Sequence, residues 1–139
     1  MVCLYCGGDL AVSNSRPQKS RNQVWRRRRC QSEACGAVFT STEALDLSQA
    51  LSVAYEPQND ELQPFDRDRL FVSLYESLRH RGRSAASHDA RALADTVTAH
   101  IIKTNIRGRV QARTIRDIAL DTLQRFDKAA ASHYAAFHP

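Results

Sequence analysis

Four cysteines near the start of the sequence stand in two close pairs. Cys3 and Cys6 form the first pair, and Cys30 and Cys35 form the second. Two thiolates from one tight turn can occupy one edge of a tetrahedron, and a second turn can supply the opposite edge, so this spacing is typical of a zinc site. Because the chain has four cysteines in all, we predict that together they bind one structural Zn²⁺.

Two disulfides are the other use of four cysteines, with three ways to connect them. The sequence begins Met-Val-Cys and shows no basic and apolar leader of the kind that directs secretion. We therefore expect a reducing cytoplasm, where disulfides are rare, and favour zinc. We also expect no membrane association, because no apolar run approaches the roughly 18 residues of a spanning helix.

The net charge of +5 is unevenly distributed along the sequence. Residues 1–45 contain seven Lys and Arg against three Asp and Glu, whereas residues 46–139 contain thirteen against twelve. The cysteine-rich part therefore carries +4 and the rest of the chain +1. This concentration of basic charge favours binding of a polyanion at the N-terminal end.

A run of four arginines directly precedes the second cysteine pair and continues a strand pattern. Side chains alternate between the two faces of a strand, so Arg26 and Arg28 share one face, while Arg27 and Arg29 share the other with Trp25. Arg27 and Arg29 could pack their stems against Trp25 and keep only their guanidinium groups in water. We therefore expect Arg26 and Arg28 to be the pair most available to phosphate groups.

The sequence predicts an α+β fold whose first part is a small antiparallel zinc ribbon over residues 1–46. Short strands are expected at 10–12 and 37–40, on either side of the arginine strand, with a polar loop over 13–22. A segment of this size cannot bury enough surface to fold unaided, and a structural metal ion is the usual remedy.

Residues 47–139 predict a mainly helical domain that includes a β-hairpin. The hairpin should pair 51–55 with 61–63 across a turn-rich segment. Asp66, Ser87 and Asp127 are the predicted N-caps of three of the helices that follow. The predicted apolar stripes contain Leu70, Leu74, Leu78, Leu93, Val97, Ile101, Leu123 and Phe126, and the last helix carries Tyr134 and Phe137.

No group of residues in the sequence suggests catalysis. The five histidines lack a shared metal-binding spacing such as H-E-x-x-H. The sequence also has no glycine-rich phosphate loop after a strand and no G-x-S-x-G nucleophile motif. We therefore do not expect an enzyme.

The order of these features resembles the NrdR family of bacterial transcriptional repressors. The most specific parts of the resemblance are the ribbon with its arginine run and the segment Pro64-Phe65-Asp66-Arg67-Asp68-Arg69-Leu70. Members of this family act on ribonucleotide reductase genes and combine a DNA-binding zinc ribbon with a nucleotide-binding ATP-cone. The resemblance implies that the four cysteines hold zinc and that double-stranded DNA is contacted by Arg16, Arg26, Arg27, Arg28 and Arg29.

Two parts of the sequence depart from the family pattern. The second cysteine pair encloses four residues instead of two, a spacing similar to the zinc fingers of Ogr/Delta-type phage activators. The hairpin has Tyr55 and Glu56 where the family has the Lys-Arg pair that neutralises nucleotide phosphates. The resemblance implies nucleotide contacts from Val53, Tyr55, Gln63 and Arg69, but ATP or dATP should bind weakly or not at all.

The favoured hypothesis is a cytoplasmic, nucleoid-associated transcriptional regulator whose ribbon binds DNA. Its ATP-cone-like domain, residues 47–139, would mediate homo-oligomerisation, with or without a degenerate ATP or dATP sensor. The alternative is a zinc-ribbon protein-interaction module, such as a phage-type activator that contacts RNA polymerase.

Overall fold

A computed structural model describes residues 1–19, 22–55, 62–104 and 107–138. The chain divides into two compact units, Met1–Leu45 and Asp46–Pro139. The first consists of antiparallel strands with the cysteines, and the second is mainly helical, which confirms the predicted α+β fold. Within the described residues, none of the helices combines the length and the apolar character needed to cross a bilayer.

The first unit, the ribbon, is an antiparallel sheet of three strands. These are β1 (Leu10–Gln18), β2 (Gln23–Cys30) and β3 (Val38–Ala44), with β2 in the centre. The predicted polar loop over 13–22 is wrong for its first half, because β1 continues to Gln18 in register with β2. The residues of this extension are almost all exposed, so the alternation of apolar and polar residues that marks a strand is missing.

The second unit contains a small sheet of order β5-β4-β6. Strands β4 (Ser52–Ala54) and β5 (Leu62–Pro64) pair antiparallel, as the predicted hairpin requires. The predicted turn between them, residues 56–61, lies outside the described residues. Strand β6 (Arg109–Gln111) pairs parallel with β4 and is not predicted by the sequence. At three residues, β6 is too short to produce a periodic signal.

Among the residues that the structure describes, five helices complete the second unit. Asp66 and Asp127 accept hydrogen bonds from backbone N–H groups of the helices that follow them, as predicted for N-caps. The predicted N-cap Ser87 is wrong, because the carbonyl of Gly82 already accepts from the N–H of Ala86 and starts that helix earlier. The helices are α1 (Leu47–Ala50), α2 (Arg67–Leu78), α3 (Arg83–Thr104), α4 (Ala112–Phe126) and α5 (Lys128–Phe137), with a 3₁₀ turn at Arg79–Arg81.

The helices of the second unit surround one hydrophobic core. Its largest fully buried side chains are Leu74, Leu78, Val97, Ile101 and Leu123, all from the predicted apolar stripes. One predicted stripe position is not in the core: Phe126 is exposed and lies under the guanidinium of Arg81, which is 5.1 Å from the centre of the phenylalanine ring. Phe137, on the last helix, is 70% exposed.

Candidate metal centre and nucleic-acid interface

The cysteines are presented by two tight turns at one end of the ribbon. Cys3 and Cys6 lie in the turn before β1, Cys30 is the last residue of β2, and Cys35 lies in the turn before β3. Each turn contains a glycine with positive φ, Gly7 at 73° and Gly36 at 57°, a conformation that residues with a Cβ rarely adopt. The second turn closes despite its greater length, because the N–H groups of Cys35 and Gly36 both donate to the carbonyl of Ser32, over 3.0 and 3.1 Å.

The four sulfur atoms converge with the dimensions of a metal site. All lie within 4.8 Å of one another. The Sγ atoms of Cys3 and Cys35 are 3.7 Å apart, and those of Cys6 and Cys30 are 3.4 Å apart. A regular tetrahedron with Zn–S bonds of about 2.3 Å has sulfur–sulfur edges of about 3.8 Å. The cysteines are free rather than bonded to one another, so the geometry and the donor set fit one structural Zn²⁺.

The acidity of the thiols also favours a cation between them. Burial works to raise the pKa of Cys3, but hydrogen bonds from backbone N–H groups of its turn and from the Cys35 thiol bring it down to about 7. At Cys30 a backbone N–H of the second turn lowers the pKa, while burial and the neighbouring sulfurs raise it to about 12. Four thiolates this close repel one another, and a divalent cation removes that repulsion with release of protons.

The basic side chains of the ribbon are divided between the two faces of its sheet. The register pairs Arg16 with Trp25 and Arg27 with Asn14, which places their side chains on one face together with Arg29. Residues of β3 on this face are uncharged, and none of the β1 and β2 residues on it is acidic. We call this surface the basic face; it carries Asn14, Arg16, Trp25, Arg27, Arg29, Thr40 and Thr42.

Three arginines of the basic face are available to a ligand. Arg16, Arg27 and Arg29 are exposed. Within the described part of the chain, no carboxylate forms an ion pair with any of the three. This exposure does not favour the alternative in which Arg27 and Arg29 are held by packing against Trp25.

Arg26 and Arg28 lie on the opposite face and are held there by neighbours on β3. The guanidinium of Arg26 donates to Glu43 Oε2 from Nε over 3.0 Å and from Nη2 over 2.8 Å. Arg28 Nε donates to Ser41 Oγ over 2.8 Å. The expectation that these two arginines are the most available pair fails, because the sequence does not show which face Glu43 shares. Both side chains bridge β2 to β3.

The first cysteine turn also exposes an apolar surface that the sequence does not reveal. Leu4 is 83% exposed and Tyr5 is 80% exposed. The ring of Tyr5 lies 5.4 Å from that of Phe39 on β3. Apolar residues between two zinc ligands resemble core residues in a sequence, yet here the turn points them outward.

In the second unit, three of the four predicted nucleotide contacts line one cavity. Val53, Tyr55 and Arg69 border a space of about 180 Å³, whereas Gln63 is not among its described lining residues. Arg69 Nη1 donates to the Tyr55 hydroxyl over 3.3 Å, and its guanidinium lies 5.9 Å from the ring centre. Glu56 lies outside the described residues.

Four converging thiolates on a three-stranded sheet, joined to a separate helical unit, define a zinc-ribbon protein with an added helical domain. A family model described as "Transcriptional repressor NrdR-like, N-terminal domain" matches residues 1–43. The chain is 30% identical to the transcriptional repressor NrdR of Sphingopyxis alaskensis, covering 99% of this chain and 84% of that protein. It is 30% identical to NrdR of Rhodospirillum centenum, covering 99% of this chain and 85% of that protein. It is 26% identical to NrdR of Symbiobacterium thermophilum, covering 99% of this chain and 87% of that protein. The chain belongs to the NrdR family.

Proposed function

We propose that this chain is a zinc-dependent transcriptional repressor that binds double-stranded DNA and acts on ribonucleotide reductase genes. Its relatives are named transcriptional repressors, names that describe regulators and not enzymes. The observation that carries the proposal is the basic face, where Arg16, Arg27 and Arg29 project from a metal-held sheet with no acidic residue among its strand positions.

The basic face can bind a duplex through its phosphate groups. Each guanidinium presents a planar fork of donors that matches a phosphate. Arg27 and Arg29 are two residues apart on β2, so they stand roughly 6.6 Å apart along the strand, and Arg16 extends the same surface onto β1. Neutralised phosphates release counterions, which supplies affinity that falls with salt. Phosphate contacts position the ribbon, and residues such as Asn14 or Thr40 could contact base edges.

The two units would divide the work of repression. Residues 1–46 form the DNA-binding domain, and residues 47–139 form an ATP-cone-like domain that assembles copies of the chain into a homo-oligomer. Three phosphate-binding arginines give one ribbon modest affinity, and linked ribbons on one DNA molecule bind far more tightly through their high effective concentration. The protein would act in the cytoplasm on nucleoid DNA.

The nucleotide response of the second unit would be degenerate. Arg69 is the one cation among the four residues that the resemblance assigns to nucleotide, and it already donates to Tyr55. Without the family's Lys-Arg pair, two charge-assisted hydrogen bonds to phosphate are missing. Each would contribute about 1.5–3 kcal/mol, so binding is weaker by roughly two to four orders of magnitude. ATP and dATP would therefore bind weakly or not at all.

A DNA mobility-shift titration tests the proposal. The zinc-loaded full chain is titrated onto a duplex from a ribonucleotide reductase promoter, onto a shuffled duplex of equal composition, and onto both after chelation of zinc. We expect a shift that requires zinc and is at least tenfold tighter on the promoter. Equal binding to both duplexes would contradict the promoter target. No shift in low salt would contradict DNA binding itself.

A protein-interaction module that contacts RNA polymerase is the second candidate, and the exposed Leu4 and Tyr5 favour it. Apolar side chains at this exposure fit a protein surface better than phosphate. Leu4→Ser with Tyr5→Ser should abolish polymerase binding and leave the DNA shift unchanged if this candidate holds. If the double variant retains both polymerase binding and DNA binding, the interaction-module candidate is contradicted and the repressor proposal remains.

A further inference from the structure

The basic face of the ribbon carries the single tryptophan of the chain. Trp25 lies on the central strand β2, opposite Arg16 of β1 and Thr42 of β3. Arg27 follows it on the same face, roughly 6.6 Å further along the strand. The register therefore places an indole ring among cationic and neutral side chains, and none of its described neighbours on this face is acidic.

The structure gives this indole ring no partner among the described residues. Trp25 is half-buried, whereas the buried side chains of the described ribbon are those of Cys3 and Cys30. In the same part of the chain, the rings in contact are those of Tyr5 and Phe39, and the guanidinium groups that lie over rings belong to the second unit. No described group stacks on the indole or accepts a hydrogen bond from its Nε1–H. Since both are common uses of a tryptophan side chain, the ring and its N–H remain available to a ligand.

A ring surrounded by cations matches the chemistry of an unpaired nucleotide. A guanidinium fork binds phosphate oxygens, and Arg16, Arg27 and Arg29 are exposed around the ring. An aromatic ring binds the flat face of a base by stacking. A duplex offers phosphates and base edges to a protein, but its base faces are covered by the neighbouring base pairs. Trp25 can therefore stack only on a base that has left the helical stack.

We propose that the basic face also binds single-stranded nucleic acid, with an unpaired base stacked on Trp25 and the adjacent phosphates held by the three exposed arginines. Stacking is tolerant of sequence, because every base has a flat face. A regulator with this site would stay bound to a DNA segment whose strands have separated. The inference rests on the part of the proposed function that assigns phosphate binding to the basic face, and it adds a base contact that an intact duplex cannot make.

The fluorescence of Trp25 tests the inference directly, because the chain has no other tryptophan. The zinc-loaded full chain is titrated in low salt with a short oligothymidylate, an oligouridylate, an abasic deoxyribose-phosphate strand and a GC-rich duplex, all of equal length. We expect the oligothymidylate to quench the fluorescence saturably and to bind roughly five- to 150-fold more tightly than the abasic strand, the effect of stacking one base. The duplex should bind without comparable quenching. The oligouridylate distinguishes RNA from DNA as the source of the strand, and quenching by either strand supports the inference.

Substitutions of Trp25 separate stacking from charge. Trp25→Leu should weaken binding of a fluorescein-labelled oligothymidylate, measured by anisotropy, by roughly five- to 150-fold and should leave duplex affinity within about twofold, since the phosphate contacts remain. Trp25→Phe keeps a ring and should recover most of the lost affinity. Phe137→Leu removes an exposed ring from the second unit and is the matched control, with no effect expected. Cobalt–thiolate absorbance of each cobalt-substituted variant shows whether its ribbon is folded, and Trp25→Phe with the wild-type quenching decides the question if Trp25→Leu is not.

Four results would overturn the inference: no quenching by either strand, equal affinity for the abasic strand and the oligothymidylate, equal effects of Trp25→Leu and Phe137→Leu, or Trp25→Phe binding as weakly as a folded Trp25→Leu. Equal quenching by the duplex would also overturn it, because the ring would then respond to phosphate binding and not to an unpaired base. Quenching by the oligothymidylate without any duplex binding would contradict the proposed function alone. Duplex binding without quenching by either strand would contradict this inference alone.

Discussion

Each of the two units of this chain is stabilised internally by a different force. The buried hydrophobic side chains of the second unit form a continuous core of leucine, valine, isoleucine, alanine and aromatic residues. In the described part of the ribbon, the buried side chains are Cys3 and Cys30, both zinc ligands. The second unit is stabilised by removal of apolar surface from water, and the ribbon depends on its metal ion.

This difference explains where a charged binding surface can be placed. A sheet that must cover an apolar core has one face committed to packing. The described part of the ribbon has no such core, so both faces of β2 can carry arginines. One face uses Arg26 and Arg28 to connect strands, and the basic face leaves Arg16, Arg27 and Arg29 for a ligand.

Removal of zinc should produce the largest difference between the two units, because the ribbon should unfold and the second unit should not. Structural zinc contributes about 10–16 kcal/mol to folding of small metal domains, more than a ribbon of this size could lose and remain folded. Chelation, or Cys35→Ser, should unfold residues 1–45 and leave the helices intact. NMR spectra report both units at once. Retained dispersion of the ribbon amides after zinc loss would contradict this dependence.

A substitution in the hydrophobic core should have the opposite effect: it should destabilise the second unit and leave the ribbon folded. Leu74→Ala removes a fully buried side chain of α2 and should destabilise the second unit by about 2–5 kcal/mol. Val72→Ala on the same helix, at an exposed position, should change stability by less than about 0.5 kcal/mol. Urea unfolding followed by helical circular dichroism measures both. Loss of cobalt–thiolate absorbance from the cobalt-substituted ribbon of Leu74→Ala would show that the units are not independent.

The features that the sequence predicted well share a local physical cause. The cysteine pairs are recognisable because a tetrahedral site needs two ligands from each tight turn. The apolar stripes around Leu74 and Leu123 follow from helix periodicity. Asp66 and Asp127 precede their helices with side chains that can accept from free N–H groups. Each signal lies within a few residues of the chain, so a single sequence contains it.

The features that the sequence did not predict depend on partners distant in the chain. Strand β6 exists because β4 lies beside it, and the second half of β1 exists because β2 does. Alternation placed the arginines correctly on two faces. It could not show that Glu43 lies beside Arg26, since that requires the register of β3 against β2. Sequence reasoning therefore expected Arg26 and Arg28, and not Arg27 and Arg29, to be the more available pair.

Acid should weaken the second unit through Asp127. A hydrogen bond from the Ala130 N–H and bonds from Arg81 and His80 lower the pKa of Asp127 from 3.8 to about 2, against the effect of burial. Because the pKa is lower in the folded state, the stabilisation is complete above pH 3.8 and is lost as the pH falls towards 2. Asp127→Asn retains a capping oxygen but removes the charge.

The difference in unfolding free energy between wild type and Asp127→Asn should therefore shrink between pH 5 and pH 2.5. Urea unfolding of the helical signal measures it, so loss of zinc from the ribbon in acid does not interfere. A difference that stays constant over this range would show that the ion pairs of Asp127 contribute nothing.

The salt dependence of DNA binding tests most directly the claim that the basic face binds the duplex. Arg27→Ala with Arg29→Ala should lower the slope of log affinity against log salt by about 1.8, roughly 0.9 for each phosphate that is no longer neutralised. Arg79→Ala with Arg125→Ala removes the same charge from helix-paired arginines of the second unit and should leave the slope unchanged. Arg26→Ala with Arg28→Ala should change it less than the first pair. If the first double variant has the same slope as the control double variant, binding of the duplex by the basic face is contradicted.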